Sequence, residues 1–378
     1  MKNKLIIALI FMILVVSLTT GCGKSSKSSN NTSYESKLSV SDLFTDRDLE
    51  QNPDISEATK YIVSDGEDIT ITKKGVYVIT GSASNISIIV DADDEDKVQL
   101  VLSDLTINND NSPCIYVKNA DKVFVTTTGN NSLTVSGTFV SDGTTNLDAV
   151  IFSKDDLVLN GTGTLNISST DNGITSKDDL KITGGTININ CTSDALEAND
   201  SIAINDGTIT INSKKDGLHS EYSDDDSVGY VYIAGGTLNI TASDDAIHAT
   251  TIVQIDGGNI TINSREGIEG TYIQINDGTI NISASDDGIN AGAKSNSYTP
   301  TIEINGGYIT IDMGSGDTDA IDSNGNLYIN GGTLDITAQS PFDYDGTSEY
   351  NGGTIIVNGE ETNEITNQMM GGQQRGRR

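Results

Sequence analysis

Six acidic residues recur with the same two neighbours: Asp194-Ala195-Leu196, Asp216-Gly217-Leu218, Asp245-Ala246-Ile247, Glu266-Gly267-Ile268, Asp287-Gly288-Ile289 and Asp319-Ala320-Ile321. Three places after each acid stands a second polar group, in turn Glu197, His219, His248, Glu269, Asn290 and Asp322, and Asp244 and Asp286 directly precede two of the acids. Carboxylate, amide and carbonyl oxygens are hard donors, and in a flexible arrangement they suit Ca2+, which takes about six to eight of them. The candidate ligands are Asp194, Glu197, Asp216, Asp244, Asp245, Glu266, Glu269, Asp286 and Asp287. The same acids have a plainer use, because Asp accepts hydrogen bonds from backbone N–H groups at turns. There is no EF-hand loop and no Gly-Gly-x-Gly-x-Asp nonapeptide. Two histidines and three cysteines do not supply a convincing zinc cluster.

The acids are spaced 22, 29, 21, 21 and 32 residues apart, so the basic unit is 21 or 22 residues and the long intervals carry inserts. A fixed period in this range marks a stacked array. In the copy that starts at Glu266, Ile273-Gln274-Ile275 and Ile280-Asn281-Ile282 alternate apolar and polar, the period of a strand with one buried face. Asn276-Asp277-Gly278 between them is a turn signal, and Gly184-Gly185, Gly235-Gly236, Gly257-Gly258, Gly306-Gly307, Gly331-Gly332 and Gly352-Gly353 take the same place elsewhere. No stretch after the leader has an amphipathic helical period. One repeat cannot bury its own Ile, Leu and Val, whereas stacked repeats can. The pattern predicts an all-β chain folded as a parallel β-helix, a solenoid of about a dozen coils over residues 59–362, spanning ~60 Å at the interstrand spacing. A propeller blade needs roughly 40 residues or more, and leucine-rich repeats carry an Asn-containing Leu signature that is lacking here.

Stacking also brings the acids of successive rungs to ~5 Å from one another, where uncompensated carboxylates repel. A divalent ion among them offsets that repulsion. If Leu196, Ile247, Ile268 and Ile289 point inward, alternation turns the preceding Ala or Gly and the following Glu, His or Asn outward, giving a shallow floor beside a row of oxygen donors. The net charge of -32, from 54 acids against 22 bases, makes nucleic acid an unsuitable partner. With no Trp and 5% aromatics, a flat stacking platform for neutral sugar is thinly supplied, Tyr232, Tyr272, Tyr298 and Tyr328 being the candidates. The inserts 221–229 and 293–300 follow the acidic strand, and inserts in repeat arrays map to one face, often the binding one.

Residues 1–21 carry Lys2, Lys4 and a short apolar run, the pattern of a secretory leader. It ends in Leu18-Thr19-Thr20-Gly21-Cys22, which resembles a bacterial lipobox, with Thr19 where an aliphatic residue is usual. Cys22 is then the lipidated first residue of a protein anchored to the outer face of the cytoplasmic membrane; simple secretion is the alternative. Residues 22–58 read as a flexible tether and entry segment, rich in Ser, Asn and Lys at its start, and residues 363–378 as a disordered Gly, Gln and Arg tail. Cys114 and Cys191 read as buried thiols.

The Lys-Asp-Asp-Leu strings at residues 154–157 and 177–180, the Gly pairs, the acidic row and the lipoprotein leader together resemble the carbohydrate-binding β-helix domains of clostridial and related Gram-positive surface proteins. The resemblance covers most of residues 60–360. It implies a right-handed, single-stranded, pectate-lyase-like β-helix that binds Ca2+ and a polysaccharide, cellulosic or of the acidic uronate type, from plant cell wall or bacterial wall, as a monomer. Three functions are then alternatives. The first is a calcium-dependent polysaccharide binder, the reading the residues favour. The second is a lyase, for which Arg265 is the one basic group embedded in the acidic row, although a neutralising salt bridge is its simpler role. The third is a structural adhesin that calcium stiffens.

Overall fold

The computed structural model describes residues 35–222, 224–315 and 318–367. Contacts divide the chain into Met1–Glu35 and Ser36–Arg378, and every repeat lies in the second unit. The leader, Cys22, the Ser- and Lys-rich stretch after it and the tail beyond Asn367 lie outside the described residues.

Each repeat supplies one strand to a 12-stranded sheet and two to a 24-stranded sheet. In the repeat that starts at Glu266, Glu266–Gly270 joins the small sheet, and Tyr272–Ile275 and Thr279–Ala284 join the large one. Pairing between repeats is parallel and in register, so that Ile247, Ile268, Ile289 and Ile321 stand in one file. These residues are buried, as are the alternate residues of the large-sheet strands, and together they form one continuous core. The files exist because like residues recur at one period, and parallel pairing stacks them at ~4.8 Å.

The right-handed, single-stranded β-helix of about a dozen coils is corrected by this arrangement. The all-β character holds, but the strands form two large sheets rather than a closed array of equal turns. The long strands Gly75–Ser84 and Lys97–Asn109, which lack the repeat pattern, pair along both large-sheet ladders and fuse them. At the other end Thr354–Val357 pairs antiparallel with Glu360–Thr362.

The Gly pairs have two separate physical reasons. At Gly307 φ is +84°, a backbone conformation that other residues rarely adopt. Its neighbour Gly306 has no such angle, but a Cβ there would run into the carbonyl oxygen of Asn276 on the preceding rung.

The segment from Lys37 to Gln51 crosses the outer side of one large-sheet ladder. Leu38 N–H donates to Gln254 Oε1 at 2.7 Å, and Phe44 covers Tyr232 with ring centroids 6.5 Å apart. Lys122 meets Asp48 at 3.5 Å, and Gln51 Oε1 accepts from Gly161 N–H at 2.8 Å. Tyr232 is thereby only 1% exposed and unable to serve as a sugar platform.

Candidate functional site

The acids at the start of each small-sheet strand do stand in a file, and one oxygen of several is already engaged. Asn172 Oδ1 accepts from Asp194 N–H at 3.0 Å, Asp194 Oδ1 from Asp216 N–H at 2.9 Å, and Asp216 Oδ1 from Asp245 N–H at 2.9 Å. Asp287 Oδ1 takes Asp319 N–H in the same way at 3.3 Å. Each of these side chains thus caps the backbone of the next rung. Sequence reasoning anticipated capping within the acid's own turn; stacking in register is what hands the bond to the neighbour.

The second oxygens and the following residues face outward and meet bases. Glu197 is held by Lys177 at 3.3 Å, by Asn172 at 2.7 Å and by the Thr175 hydroxyl at 2.8 Å. Lys215 lies 3.8 Å from Asp194. The two histidines stand in register and stack, with ring centroids 4.7 Å apart and planes within 6°. His219 Nδ1 is 2.6 Å from Asp216, and His248 Nδ1 is 3.1 Å from Asp245 and 2.7 Å from Glu269, while both Nε2 atoms face Glu221. Arg265 reaches four carboxylates: Asp244 at 2.6 Å, Asp286 at 2.5 Å, Glu266 at 2.8 Å and Asp245 at 3.5 Å. Lys294 meets Glu269 at 2.7 Å.

The two inserts wall this region. The Ser295 hydroxyl donates to the Asp226 carbonyl, and Asn296 bonds the Asp226 carboxylate through its backbone at 3.1 Å and its amide at 2.8 Å. The clasped loops leave a cleft of about 270 Å3 lined by Glu221, Tyr222, Asp226, His248, Thr250 and Lys294. The sequence placed the inserts beside the acidic strand, and there they are.

Burial disfavours charge, and it raises the carboxyl groups of Asp194 and Glu266. The effect is larger farther along the sheet. Burial first, then Asp322, Glu266 and Asp286, push Asp287 up to about 7, and burial with Asp343, Asp319 and Asp345 pushes Asp322 up to about 6. Burial alone would lower His248, but its hydrogen bonds to Asp245 and Glu269 outweigh that and hold it at about 10. Glu269, its nearer partner, is drawn below the ordinary range by His248 and Lys294 in spite of burial, while Asp245 is raised by burial.

The predicted ligands therefore separate into two groups. Asp216, Asp244 and Asp245 bring oxygens within 4.8 Å of one another, but protein bases already neutralise them. Glu197, Glu266, Glu269 and Asp286 are likewise paired. Among the described residues no ion pair joins Asp287, nor Asp322, which is in register with Asn290 and Asp343. Asp322, Asp343 and Asp345 were not among the predicted ligands, although Asp322 continues the three-residue spacing from Asp319 and was the available signal.

The shallow floor of Ala and Gly is also corrected. Ala195, Ala246 and Ala320 are fully buried. A Cβ on Gly267 would collide with the Gly288 carbonyl and lie 2.7 Å from Ile282 Cγ2. Consecutive N–H groups here bond the same neighbouring rung, Gly267 to the Asp287 carbonyl and Ile268 to that of Gly288, so strict alternation fails, and the small residue is required by close backbone approach. Gly267→Ala is expected to destabilise the protein by about 1–3 kcal/mol, the cost of overpacking a filled core, read as a fall in urea midpoint at unchanged slope.

A profile described as carbohydrate-binding domain-containing protein matches residues 65–320 and 265–371. A carbohydrate-binding domain-containing protein of Acetivibrio thermocellus is 42% identical over 201 residues, covering 52% of this chain and 70% of the relative. A solved structure, the gadolinium derivative of a polysaccharide lyase-like protein from C. thermocellum, shares 30% identity with a TM-score of 0.54, covering 57% of this chain and 96% of that one.

Proposed function

The chain belongs to the carbohydrate-binding domain-containing family, and from that premise we propose that it binds an acidic, uronate-type polysaccharide on the outer face of the small sheet, with Ca2+ as the bridge. The carrying observation is the change of character along the acidic row. From Asp194 to Glu269 the carboxylates are matched by protein bases, whereas Asp287 and Asp322 have no such partner among the described residues and are raised by burial and mutual repulsion. Carboxylates held together without a base are the groups a hard cation relieves. Asp287 and Asp322 would hold the ion, with Asn290 beside them as a neutral amide. Ca2+ bound there supplies positive charge for a sugar carboxylate that the chain, at -32 overall, otherwise repels. In this reading Cys22 anchors the protein at the outer face of the cytoplasmic membrane.

A lyase is the second reading, favoured by the neighbour's lyase-like description. It needs a base beside the bound uronate. Arg265 is clamped by four carboxylates that hold its pKa above the ordinary value against the cost of burial, and Lys294 is raised in the same sense by Glu269. Both stay charged, which favours binding over elimination.

Calorimetric titration with CaCl2 and retention on polygalacturonate test the proposal. The double variant Asp287→Asn/Asp322→Asn is expected to weaken calcium affinity by at least about tenfold, ~1.4 kcal/mol, and to lose polygalacturonate retention. Unchanged calcium uptake, or retention that persists in chelator, removes the proposal. Unsaturated products from pectate would restore the lyase.

A further inference from the structure

The chain has two histidines, and both converge on one oxygen. Parallel register sets His219 beside His248 on neighbouring strands of the small sheet, Leu218–Ser220 and Asp245–Ala249, and the rings stack with centroids 4.7 Å apart. Each Nδ1 is fixed by a carboxylate, that of His219 by Asp216 at 2.6 Å and that of His248 by Glu269 at 2.7 Å. An ionised carboxylate has no proton to give, so both Nδ1 atoms carry one and donate it. The Nε2 atoms are left facing Glu221, whose Oε2 lies 3.5 Å from one and 3.7 Å from the other. Both separations exceed the roughly 2.7–3.2 Å of an N–H···O hydrogen bond. They fall near the ~3.4 Å between two donors bonded to one tetrahedral zinc ion at ~2.0–2.1 Å.

We propose that His219 Nε2, His248 Nε2 and Glu221 Oε2 form a site for one divalent transition-metal ion of the zinc type, independent of the calcium reading at Asp287 and Asp322. Imidazole nitrogen selects zinc, copper or nickel, whereas calcium takes oxygen donors. A carboxylate on the other ring nitrogen is the support that orients a metal-binding histidine and strengthens it as a ligand. Both rings already have that support, and it follows from the fold: Asp216 stands three places before His219, and Glu269 is the register partner of His248. The ligand atoms of Asp216, His219 and His248 lie within 4.8 Å of one another. Two protonated rings stacked this closely repel, and a shared metal ion removes that repulsion. Asp216, Asp245, Glu269 and Glu221 surround the pair, and a dication gains about twice as much from their field as a proton on Nε2 does. Lys294, on the same side, is occupied by Glu269 at 2.7 Å. Three protein donors leave the fourth position of a tetrahedral ion to water or a ligand oxygen. Glu221 and His248 both line the clasped cleft of about 270 Å3, so that position belongs to the cleft. Glu221 also opens the first insert, and the ion therefore ties this loop to the sheet.

Calorimetric titration of the untagged full chain with ZnCl2, in the presence of millimolar CaCl2, tests this. One zinc per chain is expected, with a Kd of about 1 µM or tighter. His219→Gln and His248→Gln should each weaken zinc binding at least about a hundredfold, and Glu221→Ala at least about tenfold. Asp287→Asn/Asp322→Asn should leave zinc affinity unchanged. Thermal melts identify any variant that fails to fold, and Glu221→Ala, at an exposed position, keeps the test decisive. Nitrogen NMR of the two imidazoles supplies a second readout: zinc should move both Nε2 resonances while each Nδ1 keeps its proton. No zinc uptake, zinc that calcium displaces, full binding in any of the three single variants, or coordination through Nδ1 each overturn the proposal. Loss of calcium uptake with zinc binding intact would instead remove the calcium reading alone.

Discussion

Arg265→Ala is expected to destabilise the protein in chelator by about 2–3 kcal/mol, below the ~3–5 kcal/mol typical of breaking a fully buried ion pair because the arginine is partly open to water. Its guanidinium is the shared counter-charge of Asp244, Asp245, Glu266 and Asp286, drawn from three successive rungs. Of these, Asp245 and Glu266 are buried and have no easy recourse to solvent. Removing the cation leaves four carboxylates facing one another. Arg265→Lys should recover only part of the loss, since an ammonium is a point charge and cannot reproduce the planar fork that spans the four. Millimolar CaCl2 should recover most of the alanine variant's stability and little of the parent's at this position, because a divalent ion takes the place of the lost base. Calorimetric melting in EDTA and in calcium measures both. An alanine variant that melts with the parent in chelator would mean that the acidic row is relieved by solvent alone.

The contrast between what the sequence disclosed and what it concealed tracks the range of the interactions. Ile273-Gln274-Ile275 and its counterparts are legible because a strand with one buried face must alternate, and the turn glycines because a positive φ or a close approach admits little else. The grouping into two sheets was not legible, because it depends on Gly75–Ser84 and Lys97–Asn109, whose sequences lack the repeat. The path of residues 37–51 was equally hidden: Phe44 finds Tyr232 across 188 positions, and no local pattern announces such a contact.

The candidate site shows the same division. The period alone identified the acids, yet which of them lack a base depends on cations that arrive from elsewhere, such as Arg265 from the next rung and Lys294 from an insert. By count alone the two histidines suggest no zinc cluster, although both stand in a group with Asp216 whose ligand atoms lie within 4.8 Å of one another. Their spacing of three from Asp216 and Asp245 nevertheless implies that each ring meets a carboxylate, and both do.

That balance of charge gives the protein an inverted response to pH. A carboxyl whose folded pKa is raised binds more protons folded than unfolded between the two values, so unfolding free energy falls as pH rises through that window. Asp287, at about 7, and Asp322, at about 6, contribute this slope between about pH 4 and 7. His248, raised to about 10, carries it onward from about pH 6.5, since its stabilisation is full below the unfolded value and is lost as pH climbs. Glu269 acts oppositely, but its contribution is complete above about pH 4.5 and adds no slope beyond. In EDTA the melting temperature is therefore expected to fall from pH 5 to pH 8, at about 2–4 °C for each kcal/mol lost. Calcium should change this sharply, because its ligands must be deprotonated: no stabilisation at pH 5, and the largest at pH 8. Asp287→Asn/Asp322→Asn separates these two sites from the general repulsion of a -32 chain, and should lessen the chelator slope below about pH 7, leaving the part that His248 contributes, while removing the calcium response. A melting temperature that climbs toward pH 8 in EDTA would contradict the raised carboxyls, and with them the reason for placing a cation beside Asp287.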